Sequence, residues 1–338
     1  MTEKQYGGNT GRSTGTVAGS QDRIKQQKIA EKIVSKEIEE SSIDTDKIRD
    51  YKKAGEIAKK VKLFCSFVKK GMPLLEIADK IEGEIIKLGG QPGFPVNLSI
   101  NEIAAHYTPS YDDKTLAEGL LKIDLGVHIN GCISDTAISF DLENSDENKK
   151  LIKSSEDALN SALEYVKANK EKSKLNKIGK TIKETIEKDK FYPIINLSGH
   201  GLESYQIHAG ITIPNCDNGN EKELGEGAFA IEPFSTTGLG QVYEGKNSGI
   251  YMLQRYANTR DSFSRKVIDF IHENYKTLPF ASRWIVKEFG TRALISLSLL
   301  TKEGLLHQFP ELIEKSKAKV AQAEHSFIIH NGKVEIIT

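Results

Sequence analysis

An α+β fold built from two similar halves is predicted by three observations in the sequence. A helical apolar spacing, Leu74, Ile77, Ile81 and Ile85, recurs 101 residues later as Leu175, Ile178, Ile182 and Ile186. The tripeptide Asn-Leu-Ser follows each copy, at 97–99 and 196–198, and histidines follow it in turn: His106 in one case, His200 and His208 in the other. Strand-like runs flank Asn-Gly pairs at 130–131 and 331–332, and Asn-Gly is the strongest two-residue hairpin signal because both positions accept positive φ. The repeat period is far too long for a solenoid. Sites often form where two such halves meet.

The elements follow in order. Residues 1–20 are rich in Gly, Ser and Thr with little to bury and read as disordered. Residues 21–40 place Ile24, Ile29, Ile33, Val34 and Ile38 among charges, the pattern of a weak amphipathic helix, either a solvated appendage or a docking helix. The folded body is predicted from Ser42, with Asp44 or Asp46 capping a first helix. A second helix follows Gly71-Met72-Pro73 and ends at Gly89-Gly90. Strands are predicted over 120–129, 132–140 and 227–234. Residues 258–305 return to helix, with a stop at Leu278-Pro279, and a last strand pair covers 323–330 and 333–337.

Composition limits the function. Lys+Arg and Asp+Glu both number 47, so nothing in the charge balance calls for nucleic acid or an anionic membrane. Three widely spaced cysteines, Cys65, Cys132 and Cys216, suggest reduced thiols and a cytoplasmic protein. No apolar run reaches the roughly 20 residues that span a bilayer; "TRALISLSLL" is too short, and no signal peptide is visible.

The stretch "KIDLGVHINGCISDTAISF", 122–140, carries the chemistry. With Asn130-Gly131 as the turn, Ile129 faces Cys132, Gly126 faces Asp135, and Asp124 faces Ala137. Period two then puts Ile123, Leu125, Val127, Ile129, Ile138 and Phe140 on a core face. Asp124, Gly126, His128, Ile133, Asp135 and Ala137 take the other. The aspartates are diagonal neighbours about 7–8 Å apart at the backbone. Two carboxylates that close repel unless one is protonated or cations intervene. A solvated polar face would also hold them. Gly126 favours an ion, since a side chain is missing opposite Asp135. Further oxygen and imidazole donors occur in "NLSGHGLESYQIHAG", with His200 and His208, in "GEGAFAIEPF", with Glu232, and in "AQAEHSFIIH", with Glu324. An acid inside an apolar strand is costly unless paired or metal-bound.

Taken with "GFPVNLSINEIAAHYTP", these motifs resemble the methionine aminopeptidases of type II, of the creatinase or pita-bread family, from about Ser42 to the C-terminus. The "AIEPF" and "KTLPFASRW" segments look most like archaeal members. The resemblance implies a pita-bread catalytic domain over 42–338, an extension over 1–41, and a type II helical insertion at 240–315. It implies removal of the initiator methionine from peptides and nascent chains at the ribosome, with a small second residue preferred. The implied cofactor is two divalent ions, drawn from Co, Mn, Fe, Zn and Ni. Their ligands would be Asp124, Asp135, His200, Glu232 and Glu324, with Asp135 and Glu324 bridging, Asp124 binding one ion, and His200 and Glu232 the other. Glu232 would shuttle a proton, and His106 and His208 would bind substrate and stabilise the oxyanion. Phe94, Leu197, Ile207, Ile250 and Phe309 would form the methionine pocket; the last two depart from the eukaryotic pattern of His and Tyr. His128, His272, His307, His325 and His330 are left as structural or exposed. No membrane, no specific nucleic acid and a monomer complete the expectation.

Two other readings compete. A peptidase cutting X-Pro bonds would carry an acid directly after the second motif histidine, but Ala209-Gly210 follows His208. A non-catalytic, ribosome- or RNA-associated protein would show lost ligands or a basic patch, yet residues 1–42 hold seven Lys/Arg against six Asp/Glu.

Overall fold

The computed structural model describes residues 44–338. The extension read over 1–41 and the amphipathic helix over 21–40 lie outside them. Helix α1 (Thr45–Phe64) starts at Asp44, whose side chain accepts from the Asp46 amide at 3.2 Å. Helix α2 (Leu74–Lys87) follows, then strands β1 (Gln91–Ile100), β2 (Ile103–Ala105), β3 (Leu120–Ile129) and β4 (Cys132–Asp141). Strands β1, β3 and β4 form an antiparallel sheet in the order β1-β3-β4. Leu74, Ile77, Ile81 and Ile85 of α2 are fully buried against Ile123, Leu125 and Val127 of β3.

The second half repeats the scheme with α3 (Asp146–Asn169), α4 (Leu175–Lys188), β5 (Tyr192–Pro193), β6 (Ser198–Glu203), β7 (Gln206–Pro214), β8 (Gly227–Ile231) and β9 (Phe234–Thr236). Leu175, Ile178, Ile182 and Ile186 of α4 are buried in its core with Ile213, Phe229 and Ile231. The repeated spacing therefore does the same work twice: it turns one apolar stripe of a helix onto a sheet.

Between the second half and the C-terminus come β10 (Val242–Leu253), α5 (Ser262–Tyr275), β11 (Phe280–Ala281), α6 (Ser282–Phe289), α7 (Ala293–Lys302) and β12 (Leu306–Glu314). The span 240–315 thus begins and ends in paired strands, β10 with β12, and its three helices share a core with Tyr251 and Leu306. The stretch predicted as helix over 258–305 is broken by β11, which pairs with β10 after the stop at Pro279. "TRALISLSLL" belongs to α7, whose Leu297 and Leu300 are buried in the protein. Among the described residues no helix is long and apolar enough to cross a membrane.

Strands β13 (Val320–Gln322), β14 (His325–His330) and β15 (Lys333–Ile336) close the chain, with Asn331 and Gly332 at φ 50° and 66° in the hairpin turn. They add to the second half: the larger sheet runs β15-β14-β8-β6-β7, and a smaller one β13-β9-β5. Strands β13 and β14 also meet β4 of the first half, and side-chain hydroxyls make the seam. Ser326 Oγ accepts from the Asp135 amide at 2.7 Å and donates to the Asp135 carbonyl at 2.9 Å. Ser139 Oγ does the same for Gln322, at 2.9 and 2.7 Å, and Thr136 Oγ1 donates to the Glu324 carbonyl at 2.8 Å. Each serine stands in for the missing strand partner of a buried backbone. Ser139→Ala should therefore leave the Gln322 amide and carbonyl without partners and lower stability by about 1–3 kcal/mol. Urea unfolding measures this; an unchanged midpoint would mean the seam does not depend on the hydroxyl.

Candidate active site

The Asp hairpin has the register read from the sequence: Ile129 opposite Cys132, Gly126 opposite Asp135, Asp124 opposite Ala137. Asn130 and Gly131 sit at φ 51° and 87°, the doubly left-handed turn that Asn-Gly permits. Both aspartates face the cavity described below. The space over Gly126 has a different use from the one expected. A Cβ there would lie 2.4 Å from Cε1 of Phe94, so the glycine makes room for an aromatic ring rather than for an ion. The correction follows from β1, which pairs along β3 and lays Phe94 opposite Gly126.

Glu232 and Glu324 do not lie inside strands. Ile231 ends β8 and Phe234 begins β9, while Gln322 ends β13 and His325 begins β14. The two neighbouring strands are interrupted at the same level, since His325 pairs with Ile231 and Gln322 with Phe234. Pro233 has no N–H to give the ladder at this point. The gap admits both glutamates. His200 comes from β6, beside Ala230 of β8. Its flanking glycines are required by close approach: a Cβ on Gly199 would meet the Ala230 carbonyl at 2.3 Å, and one on Gly201 the Ala209 carbonyl at 2.2 Å.

Asp135, His200 and Glu324 offer ligand atoms that all lie within 4.8 Å of one another, and all three are buried. His200 Nε2 is 3.7 Å from Asp135 Oδ2 and 3.8 Å from Glu232 Oε1. His200 Nδ1 lies 3.2 Å from the Gly201 carbonyl, which can only accept, so the proton sits on Nδ1 and Nε2 presents a lone pair to the carboxylates. One oxygen each of Asp124 and Asp135, and both of Glu324, are buried without a hydrogen-bond partner. Burial pushes Asp124 up to about 7, against the hydrogen bond from Gln322. Burial and the neighbouring acids push Asp135, Glu232 and Glu324 well above the ordinary carboxylate range. Burial pulls His200 down to about 3. Lone pairs and carboxylate oxygens facing one another out of water are what a cation site looks like, and the donor set fits a divalent metal: one imidazole and oxygen ligands.

Gln322 completes this wall and was not singled out in the sequence. It is almost fully buried, and its amide reaches both Asp124 Oδ2 at 3.5 Å and Glu232 Oε2 at 3.4 Å. Its signal was present: it stands two residues before Glu324 in "AQAEHSF".

All twelve residues singled out for the site line one cavity of about 370 Å³. The acids and His200 form one end. Phe94, Leu197, Ile207, Ile250 and Phe309 line it as well, and Asn97 adds a buried carbonyl oxygen without a partner. His106 sits at φ 66°, a left-handed backbone that is uncommon outside glycine and clusters at functional sites. Its Nδ1 donates to the Pro310 carbonyl at 3.2 Å, its ring meets Phe309 edge-on, and burial lowers it to about 4. It is thus neutral, with Nε2 as an acceptor. The His208 ring lies 4.5 Å from that of His200, at 85° to it. Among the histidines left aside, His325 turns away from Glu324 to Thr338 Oγ1 at 3.0 Å, and His128 accepts from the Gly131 amide at 3.2 Å.

The model of metallopeptidase family M24 matches residues 49–266. The chain is 45% identical over 302 residues to a methionine aminopeptidase of Pyrococcus abyssi, covering 88% of this chain and all of that protein. Among solved structures, a thermophilic Arx1 superposes with a TM-score of 0.74 at 17% identity, covering 88% of this chain and 91% of that one. The methionine aminopeptidase of Rickettsia prowazekii does so with a TM-score of 0.63 at 20% identity, covering 88% and 98%. These two likenesses speak to the fold. With its site, its sequence and its two-halved architecture in agreement, the chain belongs to metallopeptidase family M24, to the methionine aminopeptidases within it, and has their pita-bread fold.

Proposed function

We propose that this chain removes the amino-terminal methionine from proteins and peptides by metal-dependent hydrolysis of the first peptide bond. Its substrates are Met-initiated peptides and nascent chains met at the ribosome, with a small second residue preferred, and it works as a cytoplasmic monomer. Residues 42–338 are the catalytic domain and 240–315 its insertion. The observation that carries this reading is the His200 lone pair facing Asp135 and Glu232, with Glu324 in reach, in a cavity that Phe94, Leu197, Ile207, Ile250 and Phe309 also line.

Four carboxylates are more than one divalent ion needs for charge balance, which supports two ions. Asp135 and Glu324 would be shared, Asp124 would complete one set, and His200 with Glu232 the other. When bound, the ions supply positive charge that polarises the scissile carbonyl and eases deprotonation of water. The chain's own residues do the rest. Glu232, its carboxyl pushed well above the ordinary carboxylate range by burial and by Asp124, would accept a proton from the attacking water as a carboxylate and pass it to the leaving amine. His208, beside His200, donates to the carbonyl oxygen as negative charge develops there. His106, with its proton on Nδ1, accepts from a substrate N–H, a narrower role than oxyanion binding. Phe94, Leu197, Ile207, Ile250 and Phe309 enclose the methionine side chain and exclude water.

With Mn²⁺ or Co²⁺, the protein should release methionine from Met-Ala-Ser, and His208→Ala should lower kcat by roughly 10²–10³. Asp124→Asn should lose most of the turnover. Full activity in Asp124→Asn would remove the reaction from this site, and cleavage of Ala-Pro peptides alone would make the protein a proline peptidase.

Metal uptake has a predictable pH dependence. Carboxyls raised in the folded chain hold protons that an entering ion must displace. Mn²⁺ should therefore raise the Tm of the metal-free protein more at pH 8 than at pH 6, and release protons in weak buffer. Without metal the sign reverses: a raised carboxyl destabilises the fold as pH climbs from its unfolded value of 3.8 through about 7 for Asp124. His200 and His106, lowered from 6.5 to about 3 and about 4, act in the opposite sense below pH 6.5, so the carboxylate effect stands clear of them above it. Calorimetry with and without Mn²⁺ checks both signs; a Tm gain independent of pH would contradict the titration of these acids.

A further inference from the structure

Strand β1 leaves its ladder with β3 between Phe94 and Asn97. The backbone of Val96, freed there, is taken up by two side chains. Its amide donates to Glu82 Oε1 at 3.2 Å, and its carbonyl accepts from Thr108 Oγ1 at 2.8 Å. Arg283 of α6 joins the two. Its Nη2 pairs with Glu82 Oε1, and its Nη1 donates to Thr108 Oγ1 at 2.6 Å and to the Pro109 carbonyl at 3.2 Å. The second Glu82 oxygen accepts from Trp284 Nε1 at 2.8 Å. Glu82, Thr108 and Arg283 are 6%, 5% and 5% exposed.

A charge pair taken this far out of water is a poor source of stability, because desolvation offsets most of the attraction. What it can do is hold geometry, since Glu82 and Arg283 together tie α2, the Val96 bulge, the Thr108–Pro109 segment and α6 to one another. The groups it holds border the cavity. Phe94 and Asn97 flank the bulge. His106 lies two residues before Thr108 in its left-handed backbone, and Ile250 pairs with Ala281, two residues before Arg283. All four line the cavity. Ile250 lies more than 140 residues along the chain from the other three, so no local interaction sets its position against them.

We infer that the buried Glu82–Arg283 pair, with Thr108 and Trp284, is a positioning device that sets the shape of the side-chain pocket and hence the selectivity for the first residue of the substrate. This rests on the reading above of the cavity as the place of an N-terminal methionine. The four residues touch neither substrate nor metal ligand; they act through Phe94, His106 and Ile250.

The test compares Met-Ala-Ser with Leu-Ala-Ser on the Mn²⁺-loaded protein, for wild type, Glu82→Gln, Arg283→Lys and the milder Trp284→Phe. The ratio of the two kcat/KM values is the readout, because loss of folded protein lowers both alike and leaves the ratio unmoved. Discrimination between side chains of this kind in an apolar pocket is worth about 10–200-fold. The ratio should fall by at least about fivefold in Glu82→Gln and Arg283→Lys, with metal content unchanged, and by less in Trp284→Phe. Trp284 is the only tryptophan, so its fluorescence reports whether Glu82→Gln and Arg283→Lys have broken the network. A shifted emission with an unchanged ratio would overturn the inference. Calorimetric binding of free L-methionine and L-leucine asks the same question without turnover. If wild type cleaves neither peptide but its preference for methionine is lost in Arg283→Lys, the pocket inference stands and the proposed reaction fails. If wild type binds neither, both fail.

Discussion

Everything in this protein is arranged around carboxylates that repel one another. Asp124, Asp135, Glu232 and Glu324 are drawn from four places in the chain and turned into one buried space. Nothing in their own chemistry would keep them there, since burial and like charge both oppose the ionised forms. The scaffold supplies the restraint. Asp135 is fixed at both its backbone groups by Ser326, Glu324 through its carbonyl by Thr136, and Gln322 spans from Asp124 to Glu232. The seam between the two halves and the floor of the site share residues: Asp135, Gln322 and Glu324 bond the seam through their backbones and face the cavity region with their side chains. That is why the halves must meet as they do.

The three histidines of the site divide by where their protons are held. Main-chain carbonyls fix the proton of His200 and of His106 on Nδ1, leaving Nε2 of each as an acceptor. In His200 that lone pair points at acids and suits a metal; in His106 it suits a substrate N–H. Neither ring charges easily, because both are lowered by burial. His208 has no such main-chain anchor among the contacts seen, and its ring stands edge-on to that of His200 in the cavity wall. The internal duplication thus supplied similar residues, and local carbonyls gave them different uses.

Local rules carried much of this in the sequence. Asn130-Gly131 sets the hairpin register, and period two then places Asp124 and Asp135 on one face; the structure has the same pairing. The helical spacing from Leu74 to Ile85 and its repeat mark two real core stripes. What escaped depends on contacts that no local pattern encodes. The vacancy over Gly126 belongs to Phe94 because β1 pairs with β3 across more than 30 residues. Glu82 and Arg283 are 201 positions apart and look like ordinary helix charges until the fold closes over them. The strand breaks at Glu232 and Glu324 were hidden for a related reason: each run is apolar enough to read as continuous.

Pro233 gives that break a wider meaning. Two neighbouring strands stop together beside it, so both glutamates of the candidate site stand at a break in the ladder. The pairings on either side keep one register, so Glu232 and Glu324 stand opposite each other across the break. Pro233 withholds one N–H from the ladder at this point, while its carbonyl still accepts from the Ala323 amide at 3.2 Å. The two glutamates of the candidate site thus stand where regular structure is interrupted, beside a residue that has no ligating group of its own.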